Sequence, residues 1–243
     1  MRKFRPSLKT SLATLVVVPT LMSLGMWQLE RAAEKRDAAA RFAANQQNAP
    51  VTVDENLVAQ KSPFDWLPVR GLGIYRAPIV LLDNRLRNGA VGYEVFTPLE
   101  VDSVTVLINR GWVAAPASRA AVPALAIPAG QQSFSGKLGP APSTGIAINE
   151  HHVNVEKLGE NILRVQTIDY DALAKWISEP RIDGVLYLDA NAPNGYVRDW
   201  VRPGDNPEKH EAYATQWFAM ALIVAFLYIV LNLEPKIGKS SDA

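Results

Sequence analysis

The chain contains no cysteine among its 243 residues. This absence excludes disulfide frameworks, zinc–thiolate sites, iron–sulfur clusters and thiol catalysis. Methionine occurs only four times, so the sequence has no methionine-rich copper site. The formal net charge is +1, which gives no indication of a nucleic-acid-binding surface. We therefore expect no nucleic-acid partner.

The sequence also lacks the short motifs of common catalytic chemistry. It contains no GxSxG, no HExxH, no P-loop and no GxGxxG. The adjacent pair His151-His152 lies in a loop-like stretch and has no recognised metal-ligand spacing, so a metal there is disfavoured. We therefore expect that the protein is not an enzyme.

Two long segments near the ends of the chain carry no charged residue. Residues 12–29 would form a helix of roughly 27 Å and residues 212–233 one of roughly 33 Å, each close to the thickness of a bilayer core. No small-residue cleavage site follows the first segment, so a retained transmembrane helix is favoured over a signal peptide. A buried helix of a soluble protein is the alternative for the second segment.

These segments divide the chain into five parts. Two spans place both termini on one side of a membrane, and the four Lys/Arg residues within residues 1–11 favour the cytoplasm for that side. The predicted parts are a cytoplasmic tail at 1–11, a transmembrane helix at 12–29 that continues as a helix to about 45, an extracytoplasmic β-rich domain at 46–206, a second transmembrane helix at 207–233 with an interfacial first turn, and a cytoplasmic tail at 234–243.

The middle of the chain changes from helical composition to short β-branched and aromatic runs bounded by Gly, Pro, Asn and Asp. Asn88-Gly89 between two of these runs predicts a hairpin turn. Residues 116–131 are rich in Pro and Ala and indicate a loop, and residues 169–177 predict a short helix that begins near Asp169. The pattern favours a mainly antiparallel β domain, built as a small barrel or a sandwich. The predicted strands are 51–60, 66–75, 78–86, 92–101, 104–113, 131–139, 162–169 and 184–190.

The start of the second apolar helix places a histidine at the predicted membrane surface. Asn206 is a plausible N-cap and Pro207 a plausible first helical residue, which makes His210 about the fourth. Helical spacing puts Tyr213 or Ala214, and then Trp217, on the face of that histidine. A neutral imidazole is a good axial ligand for haem iron. A simple interfacial polar residue is the alternative.

Four motifs occur in order along the chain. They are Leu24–Gln28 with Arg31 and Lys35, the segment Leu81–Leu99, the segment Val106–Val113 and the segment His210–Phe218. Together they resemble the surfeit locus protein 1 family, which are assembly factors of haem–copper cytochrome c oxidase. Residues 116–160 match little of that pattern.

The resemblance implies a membrane protein without enzymatic activity that helps to place haem a into subunit I of the oxidase. By this resemblance His210 is the axial ligand of the haem iron, flanked by Trp217 and Tyr213. Arginines in the matching β motifs are candidates for pairing with the haem propionates, because Arg binds carboxylates bidentately; they are Arg85, Arg87 and Arg110.

The resemblance also implies partners and a location. The partners are oxidase subunit I, proteins that make haem a or assist assembly, and membrane lipid. The location is the inner (cytoplasmic) membrane of a bacterium, with the central domain in the periplasm. Candidate partner contacts lie at the end of the first span, where the alternative is a solvated helix face; they are Trp27, Gln28, Arg31 and Lys35.

Two other functions remain open at this point. The protein could be a scaffold that stabilises an oxidase intermediate without binding haem, in which case Trp27 and Arg31 would matter and His210 would be replaceable. It could also be a two-span sensor with an extracytoplasmic ligand domain, although its tails are short for a signalling domain.

Overall fold

The computed structural model describes residues 3–59, 64–142, 154–200 and 203–234. The chain divides into two compact units. Residues 1–40 and 202–243 form the helical unit, and residues 41–201 form the β unit. The pair His151-His152 lies outside the described residues.

The elements follow one another with helices at the two ends and strands between them. The helices are α1 Leu8–Asn45, α2 Glu55–Ala59, α3 Tyr170–Leu173 and α4 Pro207–Leu231. The strands are β1 Lys3–Phe4, β2 Leu67–Tyr75, β3 Ile79–Arg87, β4 Ala90–Val101, β5 Val104–Ala114, β6 Gln131–Gly139, β7 Glu156–Lys157, β8 Ile162–Val165, β9 Arg181–Leu188 and β10 Leu233–Glu234.

Helices α1 and α4 are both long and apolar enough to cross a membrane. They pack on each other in opposite directions, because Ser11 near the start of α1 contacts Tyr228 near the end of α4. The less exposed residues of α1 recur at alternating intervals of three and four, the spacing that keeps one face of a helix against a partner. We call this stripe the seam of α1; it consists of Ser11, Thr14, Val18, Leu21, Gly25, Gln28, Ala32 and Lys35.

The ends of the helical unit are tied together by backbone pairing. Strand β1 pairs antiparallel with β10, with Lys3 opposite Glu234 and Phe4 opposite Leu233. The Asn232 side chain reinforces this junction, since its Oδ1 accepts from the Ser7 amide at 3.0 Å and its Nδ2 donates to the Tyr228 carbonyl at 2.7 Å. The two ends of the described chain therefore lie side by side.

The β unit is built on one mixed sheet of eight strands in the order β2-β6-β9-β5-β4-β3-β8-β7. Most neighbours are antiparallel, but β9 runs parallel to β5 and β8 runs parallel to β3. Strand β2 also pairs with β4 through Ile74 and Tyr75, so β2, β6, β9, β5 and β4 form a closed circuit of pairings.

Both faces of the central strands are covered, which explains the almost continuous apolar sequence of β5. Successive side chains of a strand point to opposite faces. Val106 and Ile108 accordingly join one core cluster, together with Leu138, whereas Leu107 joins the other, together with Phe96. The sheet thus separates two apolar cores.

Several predicted elements agree with the structure. The predicted strand 131–139 coincides with β6, and the Asn88-Gly89 hairpin joins β3 to β4 with both residues at positive φ, 49° and 78°. The predicted short helix is present as α3. Its cap is Asp169, whose Oδ1 accepts from the amides of Asp171 and Ala172, each at 2.9 Å.

Other predictions are wrong in detail. The predicted strand at 51–60 reduces to a single bridge between Val51 and Val69, followed by helix α2. Asp54 explains the difference, because its Oδ1 accepts from the amides of Asn56 and Leu57 and starts a helical turn. The predicted strand 162–169 ends at Val165, and the two parallel ladders were not expected from the sequence.

Candidate functional site

The start of α4 is shaped by the residues before it. Asn206 occupies the predicted cap position but has a left-handed backbone, with φ 59° and ψ 50°, and its side chain makes no capping hydrogen bond. Pro207 is the first helical residue, as predicted. Gly204 has φ 76° and packs so closely against the Lys35 carbonyl that a side chain there would overlap it. This turn therefore fixes the first residues of α4 against α1.

His210 lies half-buried against α1 and is held by a single side chain. Its Nδ1 is 2.8 Å from Oε1 of Gln28, a seam residue of α1. An amide oxygen only accepts hydrogen bonds, so Nδ1 carries the proton and donates it to Gln28. With the proton of the neutral ring on Nδ1, the lone pair is on Nε2, the arrangement in which a histidine can bind a metal ion.

The residues around His210 differ in their exposure. Ala214, one turn further along α4, is buried, and Trp217 is half-buried, whereas Tyr213 is 43% exposed on another face of the helix. One turn before Gln28, Gly25 receives the ring of Phe218 and leaves no room for a side chain of its own. Small residues thus let the two helices approach each other beside the histidine.

The predicted partner contacts at the end of the first span do not all lie together. Trp27 is 54% exposed, and Arg31 pairs with Glu34 of the same helix at 2.7 Å. Lys35 lies half-buried on the seam. Gln28 is the member of this group that reaches His210. Sequence analysis missed that contact, although the alternating spacing of Gly25, Gln28 and Ala32 could have placed Gln28 on the inner face of α1.

Arg110 lies in the interior of the β unit. It is 3% exposed and donates to the carbonyls of Asn194 and Ala126, each at 2.8 Å. Its guanidinium also lies between two rings, 5.2 Å from the centroid of Tyr75 and 5.0 Å from that of Tyr196. Burial raises the pKa of Tyr75, and the charge of Arg110 opposes that shift. We leave Arg110 out of the candidate site because its donors point into the fold.

Arg85 and Arg87 stand two residues apart on β3 and so share one face of the sheet. Arg85 Nε donates to Glu94 Oε1 at 2.7 Å, while Glu94 Oε2 accepts from Asn109 Nδ2, also at 2.7 Å. Arg87 Nη2 lies 3.3 Å from Oδ2 of Asp199, whose side chain is 79% exposed. Glu94 is held by both Arg85 and Asn109, whereas the ion pair between Arg87 and Asp199 is long and exposed to water.

These two arginines border a cavity of about 760 Å³ in the β unit. We call it the aromatic pocket, because it is bordered by Trp66, Trp112, Tyr187 and Trp200. Burial raises the pKa of Tyr187, whose hydroxyl donates to the Pro140 carbonyl at 2.8 Å. Sequence analysis missed this pocket because its aromatic residues are far apart in the chain.

The predicted site residues therefore fall into three places. His210, Gln28 and Trp217 are in the helical unit, Arg85 and Arg87 line the aromatic pocket, and Arg110 is in the interior of the β unit. Among the described residues, no group of three His, Asp or Glu side chains could hold a metal ion. A single histidine is sufficient as an axial ligand of haem iron.

Comparison with known proteins gives two matches. The model of the SURF1 family matches residues 15–222, a range that contains all of the candidate site residues. A SURF1-like protein of Rickettsia felis (strain ATCC VR-1525 / URRWXCal2) is 24% identical over 232 residues, which is 92% of this chain and 96% of that protein. The similarity thus includes both apolar helices and the β unit.

Proposed function

Because the chain belongs to the SURF1 family, and membership implies a role in cytochrome oxidase assembly, we propose that it binds haem a at the start of α4 and aids its insertion into subunit I of haem–copper cytochrome c oxidase. The protein acts as a carrier and has no catalytic step of its own. Other partners are the proteins that make haem a or assist assembly, and membrane lipid.

The contact between Gln28 and His210 is the observation that carries this proposal. A metal-binding histidine usually donates its second ring N–H to a fixed acceptor, which orients the ring and raises its basicity as a ligand. Gln28 provides that acceptor at 2.8 Å. Trp217 and Ala214 lie on the same side of α4 and offer apolar surface to a macrocycle. Haem itself would supply the redox-active iron, and the protein would supply the imidazole.

A carrier must also release what it binds. One imidazole holds iron less firmly than two axial ligands, and an acceptor that binds haem more tightly draws it away. Within residues 3–59, 64–142, 154–200 and 203–234, His210 belongs to no group of three or more His, Asp or Glu side chains that could hold a metal ion. A single ligand is therefore consistent with transient binding.

The proposed location is the inner membrane of a bacterium, with both termini in the cytoplasm and the β unit in the periplasm. Two apolar helices support a membrane-spanning chain. The pairing of β1 with β10 supports a common side for the two ends. For the β unit, the closed circuit of strands β2, β6, β9, β5 and β4 supports the small barrel over the sandwich.

The test is a haem spectrum of the protein purified from membranes that make haem a. We expect a Soret band in the wild type and its loss in His210→Ala. Thr215→Ala is the matched control, because Thr215 is an exposed polar residue of the same helix and should leave the band unchanged. A Soret band of equal position and intensity in His210→Ala would exclude His210 as the ligand.

The scaffold is the second candidate, favoured by the outward exposure of Trp27 on α1. An exposed tryptophan near the end of an apolar helix suits a contact with another membrane protein or with the interface. If the wild type carried no haem, and Trp27→Ala lowered oxidase assembly while His210→Ala did not, the scaffold would replace the carrier.

A further inference from the structure

The aromatic pocket is a second candidate binding site, and it is formed wholly by residues of the β unit. Its volume of about 760 Å³ falls within the range of small-molecule sites. The function proposed above makes no use of it, because His210 and Gln28 belong to the helical unit.

The wall of the aromatic pocket is apolar and fixed. The ring centroids of Trp66 and Tyr187 are 4.7 Å apart, and those of Tyr187 and Trp200 are 5.2 Å apart. Two polar groups of this wall are satisfied within the β unit, since Trp200 Nε1 donates to the Leu188 carbonyl at 2.9 Å and the Tyr187 hydroxyl donates to the Pro140 carbonyl. Tyr187 is only 6% exposed and packs against both Trp66 and Trp200, so the partly exposed surfaces of these two tryptophans are what this wall offers for stacking.

Trp112 of β5 forms a second wall of the aromatic pocket, because its side chain lies across the neighbouring strand β4. Its Nε1 donates to the Arg85 carbonyl at 2.8 Å, although Trp112 is on β5 and Arg85 is on β3. The indole passes over Gly92 of β4, where any side chain would overlap it. Gly92 therefore leaves the space in which the Trp112 indole lies across β4.

The two carboxylates at the rim of the pocket differ in how firmly their partners hold them. Glu94 is held by both Arg85 and Asn109 and is only 14% exposed. Asp199 makes one contact of 3.3 Å with Arg87 and is largely in water. An exposed pair of this kind contributes little to stability, so Asp199 can turn away at small cost and leave Arg87 to another carboxylate.

We infer that the aromatic pocket binds a flat, conjugated molecule that carries a carboxylate group. The molecule stacks on the tryptophan rings, and its carboxylate replaces Asp199 on the guanidinium of Arg87. The inference is independent of the haem carrier function, because it requires no metal and no residue of the helical unit.

Titration with metal-free mesoporphyrin tests this inference. This probe is flat, has two carboxylates and has no iron for His210 to bind, so the full-length protein in micelles can be titrated while tryptophan fluorescence is followed. We expect saturable quenching by the free acid and about tenfold weaker binding of the dimethyl ester, which lacks the charge that Arg87 recognises.

Three variants make the test specific. Arg87→Gln should weaken binding of the free acid about tenfold. Arg76→Gln, the matched control, removes an arginine from another exposed ion pair outside the pocket and should bind as the wild type does. His210→Ala should also bind metal-free mesoporphyrin as the wild type does, even if it no longer gives a Soret band with haem. Circular dichroism checks that each variant is folded.

Four results would overturn the inference. They are the absence of saturable quenching, equal affinity for the acid and the ester, an unchanged affinity in folded Arg87→Gln, or a loss of metal-free porphyrin binding in His210→Ala. The last result would move the binding site to the helical unit and would leave the haem carrier proposal intact. A lost Soret band with unchanged quenching by the metal-free probe would leave both proposals standing.

Discussion

The two units of this protein place their large apolar side chains differently. In the β unit, apolar residues such as Leu107 and Phe96 are inside, and the buried arginines are satisfied by the surrounding fold. In the helical unit, Leu15 and Leu222 are both 71% exposed, and polar contacts such as that between Gln28 and His210 lie between the helices. The β unit thus has the apolar interior of a water-exposed domain, and the exposed apolar surface of the helical unit is compatible with a membrane protein.

This difference changes how a buried polar residue should be interpreted. Arg110 is buried and polar, but its hydrogen bonds hold the β unit together, so burial alone does not mark a functional residue there. An ionisable residue between apolar helices is unusual and is more often functional. His210 is therefore the better indicator of a functional site, although Arg110 makes more hydrogen bonds.

The largest expected effect comes from removing the buried guanidinium of the β unit. Arg110→Leu leaves the carbonyls of Asn194 and Ala126 without donors, and each unsatisfied group costs about 1–3 kcal/mol. We expect the free energy of unfolding to fall by about 3 kcal/mol, measured by urea titration of the full chain in micelles. Arg76→Leu, at an exposed ion pair, should lower the unfolding midpoint much less. Equal midpoints for the two variants would contradict the structural role of Arg110.

The next effect should arise where the helices touch. Gly25→Leu places a side chain where the Phe218 ring lies and should force the helices apart, at a cost of about 2 kcal/mol typical of overpacking. Because the chain has no natural cysteine, spin labels attach only at two introduced cysteines, Ala13→Cys and Leu227→Cys. We expect a longer and broader distance distribution between these labels. Ser23→Leu, on the exposed side of α1, is the control and should change nothing.

Gln28→Leu tests the polar contact of the helical unit without removing the ligand itself. His210 keeps its imidazole but loses the acceptor for Nδ1, so we expect haem affinity to fall about tenfold while some binding remains. Titration with haem followed at the Soret band measures this. Gln216→Leu removes an exposed amide from α4 and should have no effect. An unchanged affinity in Gln28→Leu would mean that this contact does not orient the ligand.

A smaller effect should appear in the β unit at high pH. Burial raises the pKa of Tyr187 above its ordinary 10.0, so the unfolded chain loses this proton before the folded protein does. The stability contributed by the neutral phenol is complete below pH 10 and is lost as the pH rises beyond it. Tyr187→Phe should therefore show a shallower fall in urea midpoint between about pH 9 and pH 11. A fall as steep as that of the wild type would exclude Tyr187 as a contributor.

The smallest effect is expected at the exposed ion pair between Arg76 and Glu100. A hydrogen bond from Arg76 lowers the pKa of Glu100 below its ordinary 4.5. The associated stability is present above pH 4.5 and is lost as the pH falls through the lowered pKa. Arg76→Gln should return the pKa of Glu100 toward 4.5, measured by the carboxyl carbon shift. An unchanged titration would show that the pair does not persist in solution.

The elements that could be predicted from the sequence are those with local causes. The hairpin at Asn88-Gly89 follows from the positive φ of both residues, and the helix after Asp169 follows from its capping carboxylate. The strand β6 follows from its own composition and the turns around it. Local rules failed at residues 51–60, where the cap at Asp54 prevails over β-branched composition.

The features that escaped prediction join distant residues. Gln28 and His210 are 182 positions apart, and the periodicity of α1 can place Gln28 on the inner face without indicating which residue of α4 lies opposite it. Trp112 reaches Arg85 only because Gly92 lies between them on β4, a relation that requires the strand order. The family resemblance directed attention to His210, but it gave no indication of the acceptor behind the histidine or of the aromatic pocket.

The position of β9 has a consequence for how the chain must fold. Strands β5 and β6 follow each other in sequence but do not pair, because β9 inserts between them after more than forty further residues have been made. Until Arg181–Leu188 leaves the ribosome, β5 and β6 each lack a neighbour on that side and could pair wrongly with each other. Completion of the sheet depends on this late, non-local step, and such pairings form slowly. The nascent chain therefore carries two open strand edges until its last long strand is made.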